Sequence, residues 1–460
     1  MKLRGLIGDR AFYKRTLAIA IPIIIQNTVT NLVNLLDNLM VGSLGTELMS
    51  GVAIVNQFIF IFNLAVFGAI SSAGIFTAQY NGRVDKDGVR YTMRAKFIIC
   101  AVIGLIGVGV FFAFADPLIS MFLHEGVEGD LELTLAAGKE YLSYILIGLI
   151  PYAIAQVYAS TLRETGETVV PMISSVVSVV TNFVFNAVLI FGLFGAPALG
   201  VVGAAIATSL SRFAELLILV IWTHKNKKKC PFAVGVLRSL RVPKELAIQI
   251  AIKGLPILCN EFLWSLSVTM RNQCYSTRGI EVVAAINIAI TLQNLLSVSY
   301  FALSNSIGII VGNLLGAGKL DEARDTDKKL LAFATFAGGC MMVIQAALSP
   351  IIPLFYDTSD LVRGMATYFT ICFAVSMPFA ALATSAYYTI RSGGRVIITM
   401  LFDSIYAWVI VMPVAFTLAY LTDISIYYLL PIMLVVDNLK LIAGLILVKK
   451  GVWVKQLGVE

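Results

Sequence analysis

Long apolar segments recur along the whole chain, and this feature limits the possible fold more than any other. Each segment is long enough to cross a bilayer as a helix, which needs about 20 apolar residues. Charged residues make up 13% of the chain, whereas a soluble domain carries about 25%. The twelve segments lie at roughly 16–40, 52–80, 91–115, 138–161, 169–192, 199–223, 246–270, 282–314, 327–350, 364–390, 395–420 and 425–448. We therefore predict an all-α polytopic membrane protein with twelve transmembrane helices.

Lysines and arginines are distributed unevenly over the connecting loops. Of the 34 Lys and Arg residues, 28 fall at the termini and in loops of one side, and four fall in loops of the other side. Basic loops stay in the cytoplasm, so we expect both termini to be cytoplasmic and the protein to lie in the plasma membrane. The basic run HKNKKK at 224–229 is interpreted as a topology signal rather than a nucleic-acid contact. No nucleic-acid partner is expected.

Side chains for enzyme chemistry are scarce. The six cysteines form no CxxC motif, and the two histidines, His124 and His224, both lie in loops. A catalytic triad, a disulfide framework or a histidine metal site is therefore not expected. We predict that the protein is not an enzyme and needs no cofactor apart from a transported ion.

The second half of the chain repeats the first. Identical residues align at an offset of 234, which becomes 227 after a longer loop near 124–137. The aligned pairs include Pro22 with Pro256, Gly45 with Gly279, Gly82 with Gly316, Tyr141 with Tyr368 and Pro151 with Pro378. We predict an N-lobe at 1–223, a basic linker at 224–245 and a C-lobe at 246–460. Parallel six-helix repeats are typical of transporters with alternating access.

The last span of each half carries two charges of opposite sign. Arg212 and Glu215 are three residues apart, and Asp437 and Lys440 occupy the equivalent positions in reversed order. Opposite charges at i and i+3 can neutralise each other on one helix, which lowers the cost of burial. We interpret both as structural ion pairs or gates rather than as substrate ligands.

Asp37 lies near the end of the first span, beside a ladder of asparagines. An ionisable residue in a span normally marks a function, but Asp37 could instead cap a turn where the helix leaves the bilayer. The asparagines recur on one helical face, at positions Asn27, Asn31, Asn34 and Asn38. Such a stripe must face other helices or a watery cavity, and a turn cap would not require it. The functional interpretation of Asp37 is therefore favoured.

Other spans supply further oxygen ligands. Asn182 and Asn186 lie one turn apart on the fifth span, and Thr208 lies on the sixth. Together with Asp37 they form an all-oxygen set, which suits Na+ or, at a shielded carboxylate, a proton. A shorter polar stripe on the eighth span comprises Asn287, Thr291 and Asn294.

The sequence resembles the MATE family, the multidrug and toxic compound extrusion transporters. The resemblance rests on a pattern running from Pro22 through Asp37, Val41, Gly42, Leu44 and Gly45 to Glu47. It also includes AQYNG at 78–82, GNLLGAGKLDEAR at 312–324, TNFVFN at 181–186 and GVVGAAIAT at 200–208. These motifs cover nearly the whole chain and are specific in combination.

This resemblance implies two six-helix lobes around a V-shaped cavity, and export of organic cations in exchange for Na+ or H+. By position, Asp37, Asn182, Asn186 and Thr208 match the N-lobe cation site of the family. Glu261 matches an acid of the NorM-like branch, but residues 364–390 lack the aspartate which that branch carries. The candidate C-lobe substrate or proton site comprises Glu261, Asn287, Asn294 and Tyr300.

Three functions compete at this point. A cation antiporter, which we expect to work as a monomer in the lipid bilayer on a small cationic substrate, is favoured by the acidic and amide-rich set. A flippase for a lipid-linked sugar would require basic residues for phosphate groups, and Arg271 alone points that way. A membrane enzyme or a channel is disfavoured, because a nucleophile with its base is lacking and the duplication indicates alternating access.

The repeat also predicts an asymmetry between the lobes. Asp37 aligns with Arg271, and Asn182 and Asn186 align with Val409 and Pro413. The second lobe cannot form the same cation cage from these residues. We therefore expect ion coupling mainly in the N-lobe, with Na+ and H+ both open as the coupling ion.

Overall fold

The computed structural model describes residues 6–122, 130–356 and 358–457, without the side chains of 33–35. His124 and the side chain of Asn34 therefore lie outside the described residues. The structure is all-helical over the described part of the chain, which confirms the predicted fold class. Within these described residues, twelve helices are long and apolar enough to cross a membrane, as predicted.

These twelve helices are labelled in chain order. They are α1 (Arg10–Gly42), α2 (Thr46–Gly82), α3 (Lys86–Ala113), α4 (Leu131–Glu164), α5 (Val169–Phe191), α6 (Gly200–Lys225), α7 (Lys244–Ser276), α8 (Ile280–Gly316), α9 (Leu320–Leu348), α10 (Asp360–Ser392), α11 (Val396–Tyr420) and α12 (Ile426–Lys449). The short helical segments Ala115–Ser120, Leu193–Gly195, Pro231–Ala233, Val236–Arg238 and Ile352–Phe355 lie in the connections.

Turn residues at the helix ends follow the repeat. Gly45 precedes α2 with φ of +121°, and its repeat partner Gly279 precedes α8 with φ of +118°. A side chain with a Cβ atom rarely adopts this backbone conformation. The aligned glycines are therefore explained by one tight turn that occurs in each half of the chain.

Several basic residues that were counted as loop charges lie inside helices instead. Arg94 and Lys96 belong to α3, and Arg391 belongs to α10; all three are buried. The predicted span at 91–115 contains Arg94 and Lys96, but both were counted with the loop before it, and the predicted span at 364–390 ended one residue before Arg391. Charged residues near the boundary were placed in the loops, because hydropathy alone cannot recognise a cation whose charge is compensated within the fold.

The described chain divides into two compact units. The N-terminal unit comprises Ile25–Thr77 and Asp85–Ile250, and the C-terminal unit comprises Met1–Ile24, Ala78–Val84 and Ala251–Glu460. The first turns of α1 and the last turns of α2 thus pack with the C-terminal unit. The lobe boundaries expected from the repeat stay a prediction.

Small residues bring the helices of the N-terminal unit close together. A Cβ atom on Gly203 of α6 would lie 2.5 Å from the carbonyl oxygen of Leu189 on α5. A Cβ atom on Gly148 of α4 would lie 3.0 Å from the Cα of Ser209 on α6. Close backbone approach at small residues is the usual way that membrane helices pack. This packing sets α5 and α6 side by side, with Asn182 and Thr208 on facing surfaces.

A second close crossing lies in the C-terminal unit and relates the two halves of the repeat. A Cβ atom on Gly316 would lie 1.9 Å from the carbonyl oxygen of Gln79, and one on Gly82 would lie 2.0 Å from that of Asn313. Gly82 aligns with Gly316, and Gln79 aligns with Asn313, at the offset of 234. The crossing is therefore reciprocal, as expected for two equivalent helix ends.

The chain end packs against this crossing. The Gln79 side chain accepts a hydrogen bond from the backbone N–H of Leu457 at 2.7 Å and donates to the carbonyl oxygen of Ser392 at 3.0 Å. Gln456 donates to the carbonyl oxygen of Gly316 at 2.8 Å. Trp453 is fully buried in the adjoining apolar core, which also contains Leu303 and other residues of α8.

Helix α11 departs from regular α-helical geometry in its middle. Residues Leu401–Ile405 and Ala407–Val411 form π-helical turns. Such turns are frequent at functional sites, because each re-aims side chains relative to a regular helix. The first of them carries Asp403.

Candidate functional site

Asp37 is held by two side chains from α5. Asn186 donates a hydrogen bond from its amide nitrogen to the Asp37 carboxylate. In the amide orientation that satisfies both side-chain atoms of Asn182, the nitrogen donates to Oδ1 of Asp37 at 2.8 Å and the oxygen accepts from Thr208 at 3.1 Å. The structure thus brings together the four residues of the sequence-predicted cation set, from three different helices.

One oxygen of this cluster has no hydrogen-bond partner among the described residues. Asn182 and Asn186 are both buried, at 4% and 0% exposure, whereas Asp37 is partly exposed. Oδ1 of Asn186 is buried and accepts no hydrogen bond from the described part of the chain. A buried acceptor without a donor is energetically costly, unless a cation or a water molecule satisfies it.

The oxygen atoms of the cluster have the chemistry that a small cation prefers in its ligands. A carboxylate and uncharged amide and hydroxyl oxygens are the ligands that Na+ and other hard cations prefer. The amide donors hold the Asp37 carboxylate in one orientation, and an unprotonated carboxylate can instead take up a proton. No residue in the described ranges forms a salt bridge with Asp37 within 4.0 Å, so its charge lacks a direct protein counter-ion there.

The asparagines of α1 near Asp37 are more exposed than the buried asparagines of α5. Asn27, Asn31 and Asn38 are exposed, and Asn34 lies outside the described side chains. The exposed members are therefore not packed against neighbouring helices. The buried polar residue of this part of α1 is Gln26, at 7% exposure.

The predicted charge pair on α6 is present. The Arg212 guanidinium lies 3.5 Å from the Glu215 carboxylate, which is 2% exposed. Arg212 also lies over the ring of Tyr152, 4.9 Å from its centroid. Sequence analysis missed the residues that support Glu215, namely Ser175 and Gln26. Ser175 continues the polar face of α5 that Asn182 and Asn186 belong to, but the sequence does not show that this face meets Glu215 of α6.

The charge pair on α12 belongs to a larger network in the C-terminal unit. Lys440 lies 3.6 Å from Asp437 and 3.0 Å from Asp403. Arg271 lies 3.1 Å from Asp437. Asn260 donates to Asp403 at 3.3 Å. Two carboxylates and two cations thus neutralise one another, and Asp403 has a role that the sequence did not indicate.

Glu261 lies near the same network. Arg391 approaches Glu261 at 3.9 Å and donates a hydrogen bond to the hydroxyl of Tyr387 at 3.3 Å. Asn260 also donates to Tyr387, at 3.3 Å. Glu261 therefore has a basic partner, Arg391, from α10. This is the span whose residues 364–390 lack the aspartate of the NorM-like branch.

The other predicted C-lobe residues are not assembled with Glu261. Asn287 and Asn294 are exposed, and Tyr300 is buried and stacked on Phe301 with ring centroids 4.9 Å apart. Hydrogen bonds or ion pairs that join these residues to Glu261 are not found among the described side chains. Of the two predicted sites, the described residues therefore assemble the oxygen site around Asp37, whereas Glu261 is ion-paired with Arg391.

The spanning helices hold charged and amide side chains inside the bundles, as is typical of membrane transporters. In such proteins, charges within the membrane mark ion and substrate pathways. Comparison with known proteins agrees with this class. The family model MatE matches residues 22–188 and 256–417. The two matches begin 234 residues apart, which is the repeat offset.

Relatives match over nearly the whole chain. The probable multidrug resistance protein NorM of Thermotoga maritima is 27% identical over 413 residues, covering 88% of this chain and 85% of that protein. The NorM of Bacillus cereus is 29% identical over 428 residues, covering 89% of each. A MOP superfamily transporter from Pyrococcus furiosus, described as having a binding pocket of reverse polarity, has a similar fold with a TM-score of 0.84 at 19% identity, covering 98% of this chain and 97% of that chain.

The chain therefore belongs to the MATE family of transporters, as its sequence motifs indicated. Its small-molecule substrate and membrane environment follow from this membership. The fold of the Pyrococcus structure supports the two-lobe architecture that is expected for the family.

Proposed function

We propose that the protein is a secondary active antiporter that exports organic cations from the cytoplasm in exchange for Na+ or H+. The observation that carries this proposal is the Asp37 cluster. Its carboxylate is oriented by two amides, and beside it Oδ1 of Asn186 is buried without a partner in the described structure. A cation bound between these oxygens would compensate the charge and satisfy the acceptor.

The charge balance of the C-terminal unit supports an asymmetric mechanism. Asp403, Asp437 and Glu261 each have a basic partner within 4 Å, in Lys440, Arg271 and Arg391 respectively. These carboxylates do not require a mobile cation for neutrality. The described residues in direct contact with the Asp37 carboxylate are instead neutral donors. This difference supports ion coupling at Asp37.

Export of drug-like cations is supported by the relatives, which are named as multidrug resistance proteins. A flippase for a lipid-linked sugar is less well supported. Such a substrate needs unpaired basic groups for its phosphates, and Arg271, which pointed to that function, is ion-paired with Asp437. We propose that the transporter works as a monomer in the plasma membrane, with cytoplasmic termini.

Flux measurements in vesicles test this function. The purified protein is reconstituted, and the efflux of a dye-like organic cation is followed while a Na+ gradient or a pH gradient is imposed separately. Asp37→Asn is nearly isosteric and removes the charge, so it should abolish gradient-driven flux while the protein still folds. Glu261→Gln should retain coupling with weakened substrate affinity or altered pH dependence.

The opposite pattern would contradict the proposal. Coupling that persists in Asp37→Asn but is lost in Glu261→Gln would place the ion site in the C-terminal unit. Full gradient-driven flux in Asp37→Asn alone would return Asp37 to the role of a turn cap. A parent protein that transports lipid-linked sugars but no organic cation would favour the flippase.

A further inference from the structure

A chain of hydrogen-bonded polar side chains ends at Glu215 of the N-terminal unit. Arg163 donates to the side-chain oxygen of Gln26 at 3.3 Å, and the nitrogen of Gln26 donates to Ser175 at 2.9 Å. Ser175 in turn donates to Oε1 of Glu215 at 3.2 Å. The chain joins α4, α1, α5 and α6. It fixes one carboxylate oxygen of Glu215, and the other faces Arg212 at 3.5 Å.

Arg212 lies between Glu215 and the cation cluster. Thr208, Arg212 and Glu215 are at positions i, i+4 and i+7 of α6, which places them on one face of the helix. Thr208 bonds to Asn182 within the cluster. The guanidinium of Arg212 accordingly interacts electrostatically with Asp37. Arg212 is thus one helical turn from Thr208 of the cation site. It interacts with two carboxylates, those of Glu215 and Asp37.

We infer that Glu215 is a positioning residue, which holds the Arg212 guanidinium away from Asp37 and thereby keeps the cation site available. This inference rests on the proposed function of Asp37. Glu215 supplies the negative charge, and Ser175 and Gln26 fix its orientation. Tyr152 supports Arg212 in the same position, because the guanidinium lies over its ring.

The physical argument is a competition for one positive charge. The Arg212 side chain is 31% exposed, and a partly buried guanidinium favours a carboxylate partner, since an unpaired charge removed from water is costly. With Glu215 ionised, that partner is present on the same helix. If Glu215 is neutral, Asp37 becomes the remaining carboxylate for Arg212. A guanidinium paired with Asp37 would neutralise the carboxylate to which Na+ or H+ must bind, so the affinity of the site for the cation would fall.

Glu215→Gln tests this inference. The side chain keeps its length and its hydrogen bond from Ser175 but loses its charge. We expect the Na+ or H+ concentration for half-maximal flux to rise by about tenfold, within the usual range of coupling between sites. The double variant Arg212→Gln/Glu215→Gln removes the competing guanidinium as well. It should return the half-maximal concentration to within about twofold of the parent value.

A purely structural ion pair gives a different result. In that case both variants would lower the melting temperature or the maximal flux, with no shift in half-maximal cation concentration, and the inference would be overturned. It would equally be overturned if the double variant were as impaired in cation affinity as Glu215→Gln. Ser175→Ala loosens Glu215 without removing its charge, and a smaller shift in the same direction is expected. If Glu215→Gln fails to fold, the test is made with Ser175→Ala: a higher half-maximal cation concentration supports the inference, and an unchanged one overturns it.

Measuring Asp37→Asn in the same assay separates this inference from the proposed function. Retained coupling in Asp37→Asn would refute the function itself. Lost coupling in Asp37→Asn, together with an unchanged half-maximal concentration in Glu215→Gln, would refute only the role of Glu215.

Discussion

Gly316→Ala should destabilise the protein strongly, although it adds one methyl group. The new Cβ atom would lie 1.9 Å from the carbonyl oxygen of Gln79 and 2.6 Å from two further backbone atoms of that residue. Cβ contacts in folded proteins are essentially never shorter than 3.0 Å. The backbone of α2 must therefore move by about 1.1 Å, because a backbone atom cannot rotate out of the way as a flexible side chain can.

The displacement would disturb a crossing that is bonded from several sides. Gln79 is fixed by Leu457 and Ser392, and Gln456 is bonded to the Gly316 carbonyl oxygen. Overpacking of a well-packed site typically costs about 1–3 kcal/mol, and rigid backbone neighbours place this site at the upper end. For a chain of this length, a loss of about 3 kcal/mol corresponds to a melting temperature lower by about 3 °C.

Gly339→Ala is a matched control. Gly339 lies inside α9, and a Cβ atom there would meet no atom within 4 Å. Alanine is the better helix former, so this variant should be neutral or more stable by about 0.5–1 kcal/mol. Thermal unfolding of both variants in the same detergent gives the comparison. If Gly316→Ala melts at or above the temperature of Gly339→Ala, the close crossing of α2 and α8 is wrong.

Three further outcomes are expected. Lys96 is fully buried and paired with Glu164, so Lys96→Met should cost about 3–5 kcal/mol; the double variant with Glu164→Gln should recover most of this loss, and failure to recover would contradict the pairing. Lys440→Gln removes the partner of Asp403 and should cost about 2 kcal/mol, whereas Lys440→Gln with Asp403→Asn should melt closer to the parent. Gly279→Ala places a Cβ atom at φ of +118° and ψ of 162°, which should cost about 1–3 kcal/mol in thermal unfolding; an unchanged melting temperature would show that the turn before α8 has another conformation.

The reversed charge of the second repeat has a structural explanation. Arg271 occupies the position equivalent to Asp37 and forms a salt bridge with Asp437. Lys440 pairs with Asp403, and Asp403 lies on a π-helical turn of α11 that the sequence pattern did not predict. The second repeat has therefore replaced an oxygen cluster with internal ion pairs. This replacement fits the predicted asymmetry, in which a mobile cation binds to one half of the chain.

The members of the Asp37 cluster could be chosen from the sequence, since each is a polar residue in an apolar span and the family motifs contain them. The support around Glu215 could not be chosen in this way. Gln26, Ser175 and Arg163 come from three helices, and their side chains become neighbours only when those helices pack. Helical periodicity reports which residues share a face of one helix, but not which faces of different helices meet.

The sequence by itself determined the twelve-helix class, the duplication and the family, because apolar length and aligned identities are properties of the linear chain. The buried places of Arg94, Lys96 and Arg391 were decided only by tertiary structure. A charge in a helix is acceptable when carboxylates, hydroxyls and carbonyl oxygens of distant segments surround it, as Glu164, Ser160 and Thr161 surround Lys96. Its cost therefore depends on partners that become neighbours only when the helices pack.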